Sequence, residues 1–221
     1  MLALVLIALV LLAILAAGCA QLAIPRIAEG RVRRRLTEGG GIAEVSIRSF
    51  PASRLLHNAG DRIEVRGRSL RIGLAGESFP TAESPAGLAA LDGFTDVDIE
   101  LVDFSTGPFA VAAFVLTRVG HGTYAMATQA TTTAAEIARF GVERLPGLPP
   151  IPGLPGLGLL GSAAGQAIGG RAITVAVQIE LISEQGRLRV GSGGGTIGGF
   201  PAGPLATMIA ASVARRLEIV P

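Results

Sequence analysis

The sequence predicts an α+β domain, with about seven or eight mostly antiparallel strands and three short helices, behind an N-terminal apolar helix. Three observations carry that prediction. Met1 to Ile24 contain no charged side chain, and Pro25 closes the run. Several later segments alternate apolar and polar residues with period two, the pattern of a half-buried strand. The stretches with helical spacing are few and short.

The first run is long enough to matter physically. At about 1.5 Å per residue it makes a helix roughly 36 Å long, against a bilayer core of about 30 Å. Residues 1–24 therefore read as a signal peptide or a membrane anchor, and residues 25–221 as a single domain. Both readings of the run stay open. An apolar h-region is present, but the only positive charge before it is the α-amino group. Leu15-Ala16-Ala17-Gly18-Cys19 looks like a bacterial lipobox with one residue too many between Leu and Cys. Read that way, Cys19 is acylated after cleavage and the product is a lipoprotein. Read as an uncleaved anchor, Cys19 is a small apolar residue. Arg26, Arg31, Arg33, Arg34 and Arg35 follow the run. The positive-inside rule would hold the body in the cytoplasm. The same arginines fit a helix of an exported domain, and export to the periplasmic side of the inner membrane is the expectation.

Composition narrows the classes. The net charge is only +2, and all basic residues are Arg, so the slight basic excess is no nucleic-acid footprint. Cys19 is the only cysteine, which excludes a disulfide framework and a cysteine-rich metal site. Aromatics make up 4% of the chain, so any sheet face must be lined by Val, Ile and Leu.

In chain order, Pro25 to Glu38 reads as a short helix with Ile27, Val32 and Leu36 as a partial stripe, ended by Gly39-Gly40-Gly41. Ala43, Val45 and Ile47 alternate with Glu44, Ser46 and Arg48. Phe50-Pro51 stops that strand, and Ala52 to Asn58 forms a helical turn. Ile63 and Val65 alternate with charged residues, and the parity then shifts to Leu70 and Ile72, which calls for a bulge or bend at Gly67. Phe79 to Gly93 is a connection. Val97, Ile99 and Leu101 oppose Asp96, Asp98 and Glu100. Val111 to Val119 and Thr123 to Thr128 flank Gly120-His121-Gly122, a hairpin turn. Thr132 or Thr133 caps a helix from Ala134 to about Arg144, with Glu136 near its start. An uncharged Pro/Gly-rich loop at 146–161 cannot be a continuous helix, because each proline removes a donor and clashes with the preceding turn. Ile173, Val175, Val177, Ile179 and Leu181 form the cleanest strand face. Glu184-Gln185-Gly186 turns it into Arg187 to Val190, and a Gly-rich run follows. Leu205, Met208, Ile209, Val213 and Leu217 outline a final amphipathic helix.

Catalytic patterns are missing. Gly191 to Thr196 lacks the Gly-Lys-Ser/Thr ending of a phosphate loop, and no Gly-x-Ser-x-Gly elbow occurs. His57 and His121 are the only histidines and have no ligand spacing. Asp92, Asp96, Asp98, Glu100 and Asp103 look calcium-like, but Val97 stands where the loop glycine belongs, and the outer face of a strand explains them more simply. No catalytic residue, cofactor or metal is expected.

One family resemblance emerges from the residues just quoted. A basic helix ending Arg-Arg-Leu-Thr-Glu leads to Val45-Ser-Ile-Arg-Ser-Phe50-Pro51, then Leu55-Leu56, then Gly60-Asp-Arg-Ile-Glu-Val65. This order resembles the LmeA family of actinobacterial phospholipid-binding proteins, as does the hairpin around Glu184 to Leu188. The resemblance implies a domain like those of the tubular lipid-binding superfamily, with a curved antiparallel sheet wrapped around helices and an apolar groove. It implies work in the cell envelope on phospholipid, phosphoinositide included, in support of glycolipid synthesis beside an envelope glycosyltransferase.

The expected function is thus non-catalytic binding or transfer of phospholipid. Val45, Ile47, Ile63, Val65, Val97, Ile99, Val175, Val177 and Ile179 are the expected acyl-groove residues, and plain core is the alternative for each. Arg31, Arg34 and Arg35 are the headgroup candidates, since arginine pairs with phosphate bidentately. Two rivals stand beside this reading: an envelope scaffold that stabilises a membrane enzyme without lipid, and a hydrolase with a dispersed carboxylate site.

Overall fold

A computed structural model describes residues 2–73, 88–107, 109–133, 136, 172–184, 187–194, 196–197, 200–201, 209–210, 213–214 and 216–219. The loop at 146–161, Leu205, Met208, the Gln185-Gly186 turn and most of the 134–144 helix and the 79–93 connection lie outside the described residues.

The chain begins with one helix, α1 (Leu2–Thr37), which carries Pro25 in its interior. The sequence suggested a separate short helix from Pro25; the structure joins it to the apolar run. An interior proline costs about 3 kcal/mol, through a lost amide and a clash one turn back. Contacts on both sides of Pro25 offset that cost: Gln21 bonds to the domain before it, and Ala28, Val32 and Leu36 bury a stripe spaced four apart after it. Arg34 and Arg35 stand in the last turn, where cations suit the helix dipole. Gly40 and Gly41 then take φ of 104° and 94°, conformations that glycine adopts without strain, and turn the chain back.

The strands are β1 (Ile42–Arg48), β2 (Ala59–Arg68), β3 (Arg71–Ile72), β4 (Gly93–Thr106), β5 (Phe109–Gly120), β6 (Thr123–Thr133), β7 (Ala172–Glu184) and β8 (Arg187–Gly194). They form one sheet of order β1-β2-β4-β5-β6-β7-β8, with β3 beside β4. The short strands β9 (Thr196–Ile197) and β10 (Phe200–Pro201) pair separately. The sheet is large, open and curved. Neighbours run antiparallel, except that β2 and β3 lie parallel to β4. A short 3-10 helix (Ala52–His57) joins β1 to β2, and α2 (Ala89–Asp92) leads into β4.

Alternation builds one apolar face. Val45 and Ile47 of β1, Ile63 and Val65 of β2, Val97 and Ile99 of β4, and Val177 and Ile179 of β7 are all buried, with charged or polar residues between them. The parity of burial flips along one line across the sheet. It passes from Gly67 to Leu70, from Leu101 to Phe104, and from Val111 to Phe114. Ser69 and Asp103 take φ of 54° and 51° there, and β5 shifts register against β6 between Val111 and Ala113. Ser69 N–H donates to Val102 O (3.1 Å) and Ser105 N–H to Leu70 O (3.0 Å), so the irregularities in adjacent strands stay bonded. An extra residue in neighbouring strands bends the sheet as a crease. The bend expected at Gly67 is found two residues on, at Ser69.

The inner face is covered by Ala28, Val32 and Leu36 of α1 and by Ile209, Ala210, Val213, Ala214 and Leu217 near the C-terminus. Residues 209, 210, 213, 214 and 216 are helical, in line with the amphipathic spacing. At the end of β6, Thr133 and Glu136 form a capping box: Glu136 N–H donates to Thr133 Oγ1 (3.1 Å) and Thr133 N–H to Glu136 Oε2 (3.0 Å).

Candidate functional site

The expected groove residues come together. Val45, Ile47, Ile63, Val65, Val97, Ile99, Val177 and Ile179 belong to one buried cluster. Val175 pairs with Ala130 in the same sheet, and its side chain lies outside the description. Burying each such aliphatic contributes about 1.5–3 kcal/mol, so the face is first of all a core. Its chemistry is mostly aliphatic, with Phe94, Phe104, Phe109, Phe114 and Tyr124 as the aromatic members.

The headgroup candidates divide. Arg31 Nη1 donates to Ile219 O (2.9 Å), and Arg35 Nη1 donates to Glu218 O (2.6 Å). Arg216 Nη1 returns to Glu38 Oε2 at 2.6 Å. These bonds strap the C-terminal segment to α1. Arg34 is exposed. Along the helix, Arg31 lies about 10 Å and Arg34 about 15 Å beyond Ile24, at 1.5 Å per residue. Arg26 is the cation nearest the uncharged run, and sequence reasoning passed over it as a headgroup contact.

Gln21 was the residue the sequence undervalued most. It reads as a weak spot in an apolar run, yet its amide bonds twice to a segment far along the chain. Its Nε2 donates to Ser49 O (2.8 Å), and Ala52 N–H donates to its Oε1 (2.8 Å). About two turns further on, Ile47 N–H donates to Glu29 Oε1 (2.9 Å). Cys19 is exposed, two residues before this clamp. Among the described residues, no helix is long and apolar enough to cross a membrane. The sequence of α1 carries no charge from Leu2 to Pro25.

A polar cluster sits at one end of the sheet. Asp92 accepts from Tyr124 Oη (2.9 Å) and from Ser183 Oγ (2.5 Å). Arg118 donates through Nη1 to Asp92 O and Phe94 O, and lies 5.7 Å from the Tyr124 ring centre. Burial, reinforced by the Asp92 charge, pushes the Tyr124 phenol well above its ordinary value. The cluster borders a depression of about 400 Å³ that also includes Thr95 and the exposed His121. Its geometry is that of a brace. Ser183 is buried and directs its hydroxyl to the carboxylate, so it is not presented as a nucleophile. The outer face carries a second shallow depression of about 410 Å³, bordered by Glu44, Arg66, Arg68 and Glu100. Beside it Arg62 and Arg66 pair with Glu64, Asp96, Asp98 and Glu100. The hydrogen bond to Glu64, followed by the charges of Glu100 and Glu64, raises the Arg66 pKa further. Among the described residues, no three His, Cys, Asp or Glu side chains converge as a metal site.

No family model matches the chain, and neither a curated protein nor a solved structure does. The resemblance to the LmeA family rests on the quoted residues alone, and no comparison identifies the chain as a member.

Proposed function

We propose that the protein is a membrane-tethered, non-catalytic lipid-binding protein of the bacterial cell envelope. It holds phospholipid with its acyl chains on the inner face of the sheet, on the periplasmic side of the inner membrane. The observation that carries this reading is the continuity of α1. One helix runs from an uncharged stretch of bilayer length onto the aliphatic face of an open, curved sheet. Chains leaving the membrane would reach an aliphatic surface without crossing water, and each buried methylene contributes roughly 0.8 kcal/mol.

Entry has a cost that the contacts identify. Ile209, Val213 and Leu217 already occupy the inner face, and Arg31 and Arg35 hold their segment through two neutral carbonyls. A phosphate accepts more strongly than a carbonyl, because the hydrogen bond becomes charge-assisted. Headgroup capture by Arg31 and Arg35 would loosen the strap and free the surface beneath it. The resemblance to phospholipid-binding proteins adds the phosphoinositide headgroup and a neighbouring glycosyltransferase to this proposal.

Native mass spectrometry with lipid extraction, on the full chain purified from its own membranes, tests the reading. A stoichiometric phospholipid adduct supports it. A folded protein that carries no lipid and takes up none from phospholipid micelles sinks it. The weight then moves to a scaffold that stabilises a membrane enzyme, which the closely packed inner face favours.

A further inference from the structure

We propose that the Phe50-Pro51 tip, with Leu56 and Leu22 beside it, is a second membrane contact that sits in the headgroup region of the bilayer holding the start of α1. The inference rests on the anchor reading above and adds which surface of the domain touches lipid.

Level is the first argument. The two Gln21 bonds fix Ser49 and Ala52, on either side of Phe50-Pro51, against the helix at Gln21. Gln21 lies within the uncharged run, and only four residues, about 6 Å of helix, separate it from Pro25. A bilayer that takes up the run has its boundary at this height. β1 descends toward it: Ile47 meets Glu29, and Ser49 and Ala52 meet Gln21. The ladder then carries that end across the sheet from Arg48 to Arg62 and Asp96.

Exposure is the second argument. Phe50 is 77% exposed, Leu22 66% and Leu56 58%, while Leu55 between the tip and the sheet is fully buried. The turn thus has a good core residue and still presents large apolar side chains outward, at the one height where water gives way to lipid. Charge is the third. Arg48, two residues before Phe50, and Arg26, five residues after Gln21 on α1, are both exposed, as contact with anionic headgroups requires. The neighbouring Arg54 is already engaged by Asp61 at 2.7 Å.

The chain has no tryptophan, so a single substitution makes a clean reporter. Phe50→Trp, Leu56→Trp, Leu11→Trp and Ile42→Trp are each made in the full chain and reconstituted into phosphatidylcholine–phosphatidylglycerol vesicles, with and without lipids brominated near the top of the acyl chain, or near its end for Leu11→Trp, which lies about 15 Å below Gln21. Ile42 is an exposed control at the far end of β1, eight residues before Phe50, and the six steps along the strand to Arg48 alone span about 20 Å. The expected result is blue-shifted emission from Phe50→Trp and Leu56→Trp, with bromines quenching most of it, and water-like, unquenched emission from Ile42→Trp. Quenching at Leu11→Trp with water-like emission from both tip reporters overturns the inference and leaves the anchor standing. No quenching at Leu11→Trp removes the anchor reading, and this inference falls with it. A blue shift at the tip that bromine does not touch means that protein covers it, which also overturns the proposal.

Discussion

The two halves of α1 are made of similar residues and meet different surroundings. In the first, Val5, Ile7, Leu9, Leu11, Leu12 and Leu15 are all exposed and spread over more than half of the helix circumference, and the sequence between them is apolar as well. In the second, Ala28, Val32 and Leu36 form one stripe and are buried on the sheet, while Arg33 and Arg34 face outward. A helix that is apolar all round needs an apolar medium, whereas a striped helix needs only a protein surface. On the proposed anchor reading, the comparison gives the continuous helix two solvents, with Gln21 near their boundary.

The strongest way to break the comparison is to place a carboxylate in each half. Val32→Asp buries an unpaired charge against the core and should cost at least about 4 kcal/mol, enough to unfold an ordinary domain. Leu11→Asp should leave the domain's thermal melt in detergent unchanged. Its effect is expected on insertion, at about 2.5–3.5 kcal/mol for a charge at mid-helix, read as loss from the membrane fraction. Circular-dichroism melts and membrane fractionation of the two variants check the pair. Equal melts would end the two-solvent picture.

Gln21→Leu tests the boundary. It makes the run more apolar, yet it leaves Ser49 O and Ala52 N–H without their partners beside buried Ala52. Each stranded group costs about 1–3 kcal/mol, so the domain should lose about 2 kcal/mol or more although insertion improves. A denaturant titration in micelles reads the loss, and an unchanged midpoint would mean that the domain begins after Pro25.

These three substitutions mark where the sequence was legible. Alternation identified Val45, Ile63, Val97 and Val177 as one face, and Thr133 with Glu136 as a cap, because those patterns are local. The turn at His121 was legible for the same reason. Gln21 was not, since its partners lie 28 and 31 residues away and an amide in an apolar run has no local signature. Nor was the brace, where Tyr124 and Ser183 meet Asp92 across 32 and 91 residues. The parallel pairing of β2 with β4 was hidden because strand order depends on the crossover, not on the strands' own residues. Parity did reveal the crease in β2, but its alignment with Asp103 and Ala112 emerges only when the strands lie side by side.

Tyr124 sharpens the comparison from the domain side. Removing its hydroxyl with Tyr124→Phe deletes a hydrogen bond to a carboxylate and should cost about 1.5 kcal/mol, equally in micelles and in vesicles. The pH dependence has a definite sign. The folded phenol is raised above its unfolded value of about 10, so its contribution is complete below that pH and is lost as the pH climbs toward the folded value. Wild type should therefore weaken above about pH 10 by a component that Tyr124→Phe lacks. Tyr124 is the only tyrosine, so tyrosinate absorbance reports it alone.

The smallest expected effect separates the arginines by height. Arg26 lies next to the uncharged run, and Arg34 stands about 12 Å further along the helix at 1.5 Å per residue. Screening shortens the reach of surface charge to about 8 Å at physiological salt, so Arg34 stands beyond the field of the bilayer that holds the run. In the Phe50→Trp background, the tip's blue shift can be titrated against the fraction of phosphatidylglycerol. Arg26→Ala should move that titration to higher anionic lipid, by up to about 1 kcal/mol or fivefold in apparent affinity. Arg34→Ala should leave it within error and leave the melt within about 0.5 kcal/mol. The reverse order would place the bilayer surface itself high on α1, level with Arg34. Equal shifts would tilt the helix enough to bring both cations to the surface, and the tip would then have to be sought on a different side of the domain.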